Sequence, residues 1–83
     1  MTIAYVLINV QSGAEEQIIE KLKNLENVVE AYVTYGTYDI LVKIVADSLE
    51  KIKETVDMNI RKLDKVRSSI TMIVMEKWMT QKS

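Results

Sequence analysis

Val28-Val29-Glu30-Ala31-Tyr32-Val33-Thr34 and Ile40-Leu41-Val42-Lys43-Ile44-Val45-Ala46 are joined by Tyr35-Gly36-Thr37-Tyr38-Asp39. β-Branched and aromatic residues on both sides of a short polar, glycine-containing link predict a β-hairpin. Gly36 is one of only two glycines in the chain, placed where the backbone can require a positive φ. The same turn gathers a hydroxyl, a phenol and a carboxylate within a few residues, which makes it the first candidate for a ligand site.

Working outward, Ile3 to Val10 reads as a strand that begins almost at once. Ser12-Gly13-Ala14-Glu15 has the spacing of a capping box. It precedes Ile18, Ile19, Leu22 and Leu25 at helical intervals. After the hairpin, Asp47-Ser48-Leu49-Glu50 opens a second helix with Leu49, Ile52, Val56, Ile60 and Leu63 as its apolar stripe. A last strand is expected from about Val66 to Met75. Each helix ends in the same pattern, Leu25-Glu26-Asn27-Val28 and Leu63-Asp64-Lys65-Val66. The order is β-α-β-β-α-β. Such a chain is expected to be α+β: a ferredoxin-like βαββαβ sandwich with one four-stranded antiparallel sheet and both helices on one face. One domain is expected over residues 1–78, with 79–83 as a C-terminal tail, and the lack of proline suits uninterrupted strands.

The strands carry a second message. Ala4, Val6, Ile8 and Val10 fall on one side of the first strand and Ile3, Tyr5 and Leu7 on the other; the third strand places Leu41 and Val45 opposite Ile40, Val42 and Ile44. Two helices cover one face only. The other face would leave Ile3, Tyr5, Leu7, Tyr32, Leu41 and Val45 in water, a larger patch than monomers usually tolerate. A chain of 83 residues buries only about 60–65% of its unfolded surface, so association is a natural remedy. A dimer through this face is predicted.

Composition narrows the function. The chain has no cysteine and no histidine, which removes the thiolate nucleophile, cysteine-based zinc sites and the usual general base. No catalytic residue and no metal ligand is assigned, and no cofactor is expected. Eleven basic against twelve acidic residues give a net charge of −1, without the basic face of a nucleic-acid binder; an RNA-binding sheet would need stacking aromatics, and Tyr5 stands alone on the central strands. No apolar run approaches the roughly 20 residues of a membrane span, and a cytoplasmic location is expected. Ser68 and Ser69 read as solvated hydroxyls, Met72 and Met75 as packing, and Trp78 as a cover for the sheet end or a subunit contact. Lys51, Lys53, Glu54, Arg61 and Lys62 read as the solvated side of the second helix.

Ala31-Tyr32, Gly36-Thr37-Tyr38-Asp39 and Ser68-Ser69-Ile70-Thr71, in this strand order, resemble the effector-binding (RAM) module of Lrp/AsnC-type transcription regulators along nearly the whole chain. The resemblance implies dimers joined through their sheets, assembly of dimers into octamers or decamers, and a free amino acid bound between dimers. It ranks Gly36, Tyr38 and Asp39 first as ligand-binding residues, then Ser69 and Thr71. Thr34, Tyr35 and Thr37 complete the set. A free amino acid offers an ammonium for Asp39 and a carboxylate for the amides near Gly36 and Thr37. A bland reading stays open, with Gly36 serving the turn, Asp39 bonding turn amides and Tyr38 packing on the sheet. The family's full-length members carry a DNA-binding helix-turn-helix, whereas the first strand here starts near Ile3. The expectation is therefore a stand-alone module without direct nucleic-acid contact that works through a full-length Lrp/AsnC-type regulator. An ACT-type regulatory domain, a ring-forming subunit without ligand and a small cofactor-free oxygenase are the other readings.

Overall fold

The structure is a computed structural model that describes residues 1–80; of the tail read at 79–83, residues 81–83 lie outside the described residues. Four strands, β1 (Thr2–Val10), β2 (Val28–Val33), β3 (Ile40–Ala46) and β4 (Val66–Ile73), form one sheet in the order β2-β3-β1-β4. All neighbours are antiparallel. Helix α1 spans Glu15–Lys23, and α2 spans Leu49–Glu54 and continues as a wider, π-helical stretch over Thr55–Ile60. This is the ferredoxin-like α+β arrangement that the alternation of periods predicted.

The core is built from period-2 residues of the two central strands. Ala4, Val6, Ile8 and Val10 of β1 and Ile40, Val42, Ile44 and Ala46 of β3 are buried under Ile18, Leu22, Ile52, Val56 and Ile60 of the helices. Each large aliphatic side chain withdrawn in this way contributes about 1.5–3 kcal/mol. The molecule measures 37 × 32 × 19 Å. Its thinnest dimension holds one sheet and one helical layer, so no other element among the described residues covers the second sheet face.

The repeated Leu-acidic-x-Val pattern closes the same turn twice. Val28 N–H donates to Leu25 O at 3.2 Å, and Val66 N–H to Leu63 O at 3.1 Å. In both, the carbonyl of the third residue then accepts from a neighbouring segment, Asn27 O from Val45 N–H at 2.9 Å and Lys65 O from Gln11 N–H at 2.8 Å. The repeat therefore anchors the end of each helical layer to the sheet.

Four local expectations are corrected. The Ser12 capping box does not form: α1 begins after Ala14, and no side chain caps it. Gly13 takes φ 84° and Ala14 N–H returns to Gln11 O at 2.9 Å, so a tight turn displaces Ser12 from the capping position. Glu15 and Glu16 in the first turn and Lys21 and Lys23 in the last still suit the helix dipole. Ser48 does cap α2, accepting from Lys51 N–H at 3.2 Å. The apolar stripe of α2 holds at Ile52, Val56 and Ile60, whereas Leu49 is exposed. The last strand ends at Ile73, with one further bond from Val74 N–H to Ile3 O. Beyond it Met75 and Trp78 are exposed, so Trp78 does not cover the sheet end within the chain.

The π-helical stretch has a local cause. Thr55 is buried and donates its hydroxyl to Lys51 O at 2.9 Å, four residues back, a bond that competes with the helical ladder and bends it. Asn27 Nδ2 donates to the same Oγ1 at 3.1 Å, and Arg61 N–H then reaches Val56 O at 2.8 Å, five residues back.

Candidate functional site

The hairpin turn is held at its base and open at its tip. Thr34 N–H donates to Asp39 O at 2.9 Å, and the Thr34 hydroxyl donates to Tyr38 O at 2.7 Å. Asp39 N–H reaches across to Ile8 O at 3.0 Å. The Asp39 carboxylate accepts the Val10 amide through Oδ2 at 2.9 Å. That amide is available because the β1–β4 register shifts between Asn9 and Val10. The bland reading of Asp39 is thus amended: it bonds an amide of a different strand rather than of its own turn. Oδ2 is engaged by that amide.

Tyr35, Gly36 and Thr37 are exposed, and Tyr38 and Asp39 are half-buried. Gly36 has φ 156° and nothing within 4 Å of where a Cβ would stand, so the space above its backbone is open to an incoming group.

Ser69 and Thr71 lie elsewhere. They pair with Ile8 and Val6, whose side chains are buried under the helices, so both hydroxyls are on the helical side of the sheet. There, with Lys53, Asp57, Arg61 and Ile73, they line a groove of about 540 Å³. Ile8 is the shared neighbour, contacting Asp39 on one side and Ser69 on the other. Two strand spacings, roughly 10 Å, separate the two groups. The turn and the β4 hydroxyls flank one end of the sheet without enclosing a common pocket in a single chain.

The uncovered sheet face is continuous across the strands. One row runs Ile70, Leu7, Leu41, Tyr32 and the next Met72, Tyr5, Lys43, Glu30; Ile3 and Val45 begin a third. Ile70 and Met72 are 45% and 48% exposed and Tyr32 49%. The two β4 residues were not placed on this face by sequence, because strand periodicity alone does not say which parity of β4 joins which parity of β1.

Sequence reasoning also missed a hollow of about 430 Å³ at the opposite end of the sheet, lined by Asn27, Lys51, Glu54, Thr55 and Asn59 among others. Asn27 within the repeated turn was the one available signal. Among the described residues no group of acidic side chains is arranged to hold a metal ion, and no helix is long and apolar enough to cross a membrane.

The profile of the Lrp/AsnC ligand binding domain matches residues 3–83. The chain belongs to the Lrp/AsnC ligand-binding domain family. It is 34% identical over 74 residues to the HTH-type transcriptional regulator FL11 of Pyrococcus furiosus, covering 89% of this chain and 48% of that protein. The crystal structure of FFRP-DM1 superposes with a TM-score of 0.87 at 36% identity, over 90% of this chain and all of that one. AsnC of E. coli superposes with a TM-score of 0.89 at 25% identity, over 99% of this chain and 56% of its own. The chain spans about half the length or less of the curated regulators it matches. The family assigned is the Lrp/AsnC ligand-binding domain rather than an ACT-type domain.

Proposed function

We propose that this Lrp/AsnC domain is an amino-acid-sensing and oligomerising module without catalysis, which acts in the cytoplasm by assembling with itself and with a DNA-binding relative of the Lrp/AsnC type. The observation that carries the reading is the uncovered apolar sheet face, with Ile3, Tyr5, Leu7, Tyr32, Leu41 and Val45 on it. Tyr32 is exposed and the other five are half-buried in one chain, so a second copy removes from water the apolar surface they still present, at about 25 cal/mol per Å². Two turns brought together from neighbouring dimers enclose what one turn leaves open. There a free amino acid meets the Asp39 carboxylate through its ammonium and the amides near Gly36 and Thr37 through its carboxylate, with Thr34, Tyr35 and Tyr38 as walls. Ser69 and Thr71 join such a site only from another subunit, since within one chain they face the helices. Octamers or decamers are the assemblies proposed.

Native mass spectrometry with and without a mixture of free amino acids tests this. Dimers and multiples of dimers with an added mass near that of an amino acid support it; a monomer at micromolar concentration overturns it. A second reading, a ring-forming subunit that binds no ligand, is favoured by the Asp39–Val10 bond, which gives the carboxylate a structural task. Dimers and rings without added mass are its signature.

A further inference from the structure

From Ile3 to Leu7 the uncovered face is apolar except at one point, and beyond Leu7 it ends in the polar pair Asn9 and Ser68. In the rows from Ile3 to Leu7, the charged residues are Lys43 on β3 and Glu30 on β2, direct neighbours in register. Lys43 Nζ lies 3.8 Å from Glu30 Oε2, with the lysine side chain only 21% exposed. Tyr5 pairs beside Lys43, and Tyr32 donates its hydroxyl to Glu30 Oε1 at 2.7 Å. Both carboxylate oxygens therefore have a partner, and the rows from Ile3 to Leu7 are neutral overall.

A second sheet laid on this face strips the remaining water from both charges. Unpaired charges in that position are expensive, whereas an ion pair within each chain, its carboxylate also hydrogen-bonded by Tyr32, is tolerated. A two-fold interface also brings the same patch against itself. A charge-balanced face accepts its own copy, and one carrying two like charges repels it.

We infer that the Glu30–Lys43 pair, braced by Tyr32, selects the partner of the sheet face, admitting a second copy of this chain and rejecting a chain whose face is charge-unbalanced. This rests on the proposed sheet-to-sheet dimer and adds to it the rule by which the partner is chosen.

Four samples test the rule by sedimentation velocity: Glu30→Lys, Lys43→Glu, the Glu30→Lys/Lys43→Glu double exchange, and a 1:1 mixture of the two single variants. Each single variant is expected to dimerise at least about tenfold more weakly than the parent. The double exchange is expected to recover dimerisation, and the mixture to form mixed dimers well above the statistical share. Single variants that dimerise like the parent, or a mixture that pairs only statistically, overturn the inference. A parent chain that is itself monomeric overturns the sheet-face reading instead, so the two failures are distinguishable. If a single reversal does not fold by circular dichroism, Glu30→Gln and Lys43→Gln replace the pair of reversals. Each is expected to weaken the dimer several-fold and their combination to restore it; unchanged association in both singles overturns the inference equally.

Discussion

The Asp39 carboxylate accepts the Val10 amide at 2.9 Å, tying the hairpin turn to the end of β1 twenty-nine residues earlier. The same residue's N–H bonds Ile8 O, so one aspartate closes both sides of the β1–β3 junction. Asp39→Ala removes a charged acceptor from a partly buried amide. It is expected to cost about 1–2 kcal/mol, with Asp39→Asn costing less because an oxygen remains. Urea denaturation monitored by circular dichroism measures both. A ligand-induced thermal shift lost in Asp39→Ala, with the oligomer intact, assigns the second oxygen to the effector.

Thr55 ties the helical wall to the α1–β2 turn. Its hydroxyl donates to Lys51 O and accepts from Asn27 Nδ2, so Thr55→Val strands a side-chain amide that links the α1–β2 turn to α2. A loss of roughly 1–2 kcal/mol is expected, and Thr55→Ser keeps most of the stability. Equal stability of the valine and serine variants in denaturant titration contradicts the assigned bonds.

Tyr32 is expected to ionise late. Its hydrogen bond to Glu30, and secondarily the charge of that carboxylate, raise its phenol above the ordinary 10.0. The neutral phenol is the favoured form in the fold. The associated stability is present in full below pH 10.0 and is lost as pH rises through the raised folded value. Ultraviolet titration of the four tyrosines should show a late component that Tyr32→Phe abolishes and Glu30→Gln moves back towards the ordinary value.

Leu22 is fully buried and Met58 is 56% exposed. Leu22→Ala is expected to destabilise by about 2–5 kcal/mol, through lost transfer energy and a residual cavity. Met58→Ala is expected within about 0.5 kcal/mol of the parent. Thermal melts of the two variants side by side check the assignment of the α1 core face.

Gly13 holds φ 84° with open space around it. The cost of a side chain there is backbone strain alone, so Gly13→Ala should lose about 1–2 kcal/mol and Gly13→Asn less, since asparagine tolerates this region. Denaturant midpoints of the two variants give the difference directly.

The sequence by itself determined the elements and their order. Period-2 runs at Ala4–Val10 and Ile40–Ala46, helical spacing at Ile18–Leu22 and Ile52–Ile60, and the repeated Leu-acidic-x-Val turns are local patterns, and local sterics and hydrophobic spacing are enough to read them. The two-sided apolar strands disclosed a face without a cover for the same reason.

What the tertiary structure decided are relations between residues distant in the chain. Whether Ser69 and Thr71 join the turn depends on the β1–β4 register, since a one-residue shift moves a side chain to the opposite face. That Asp39 bonds Val10, and that Lys43 lies beside Glu30 and Tyr5 at once, follow from strand pairing that no short window contains. The Ser12 cap failed because the backbone at Gly13 turned into a conformation that removes Ser12 from reach of the first helical amides. Periodicity fixes which side chains share a face; only the assembled sheet fixes which of them meet.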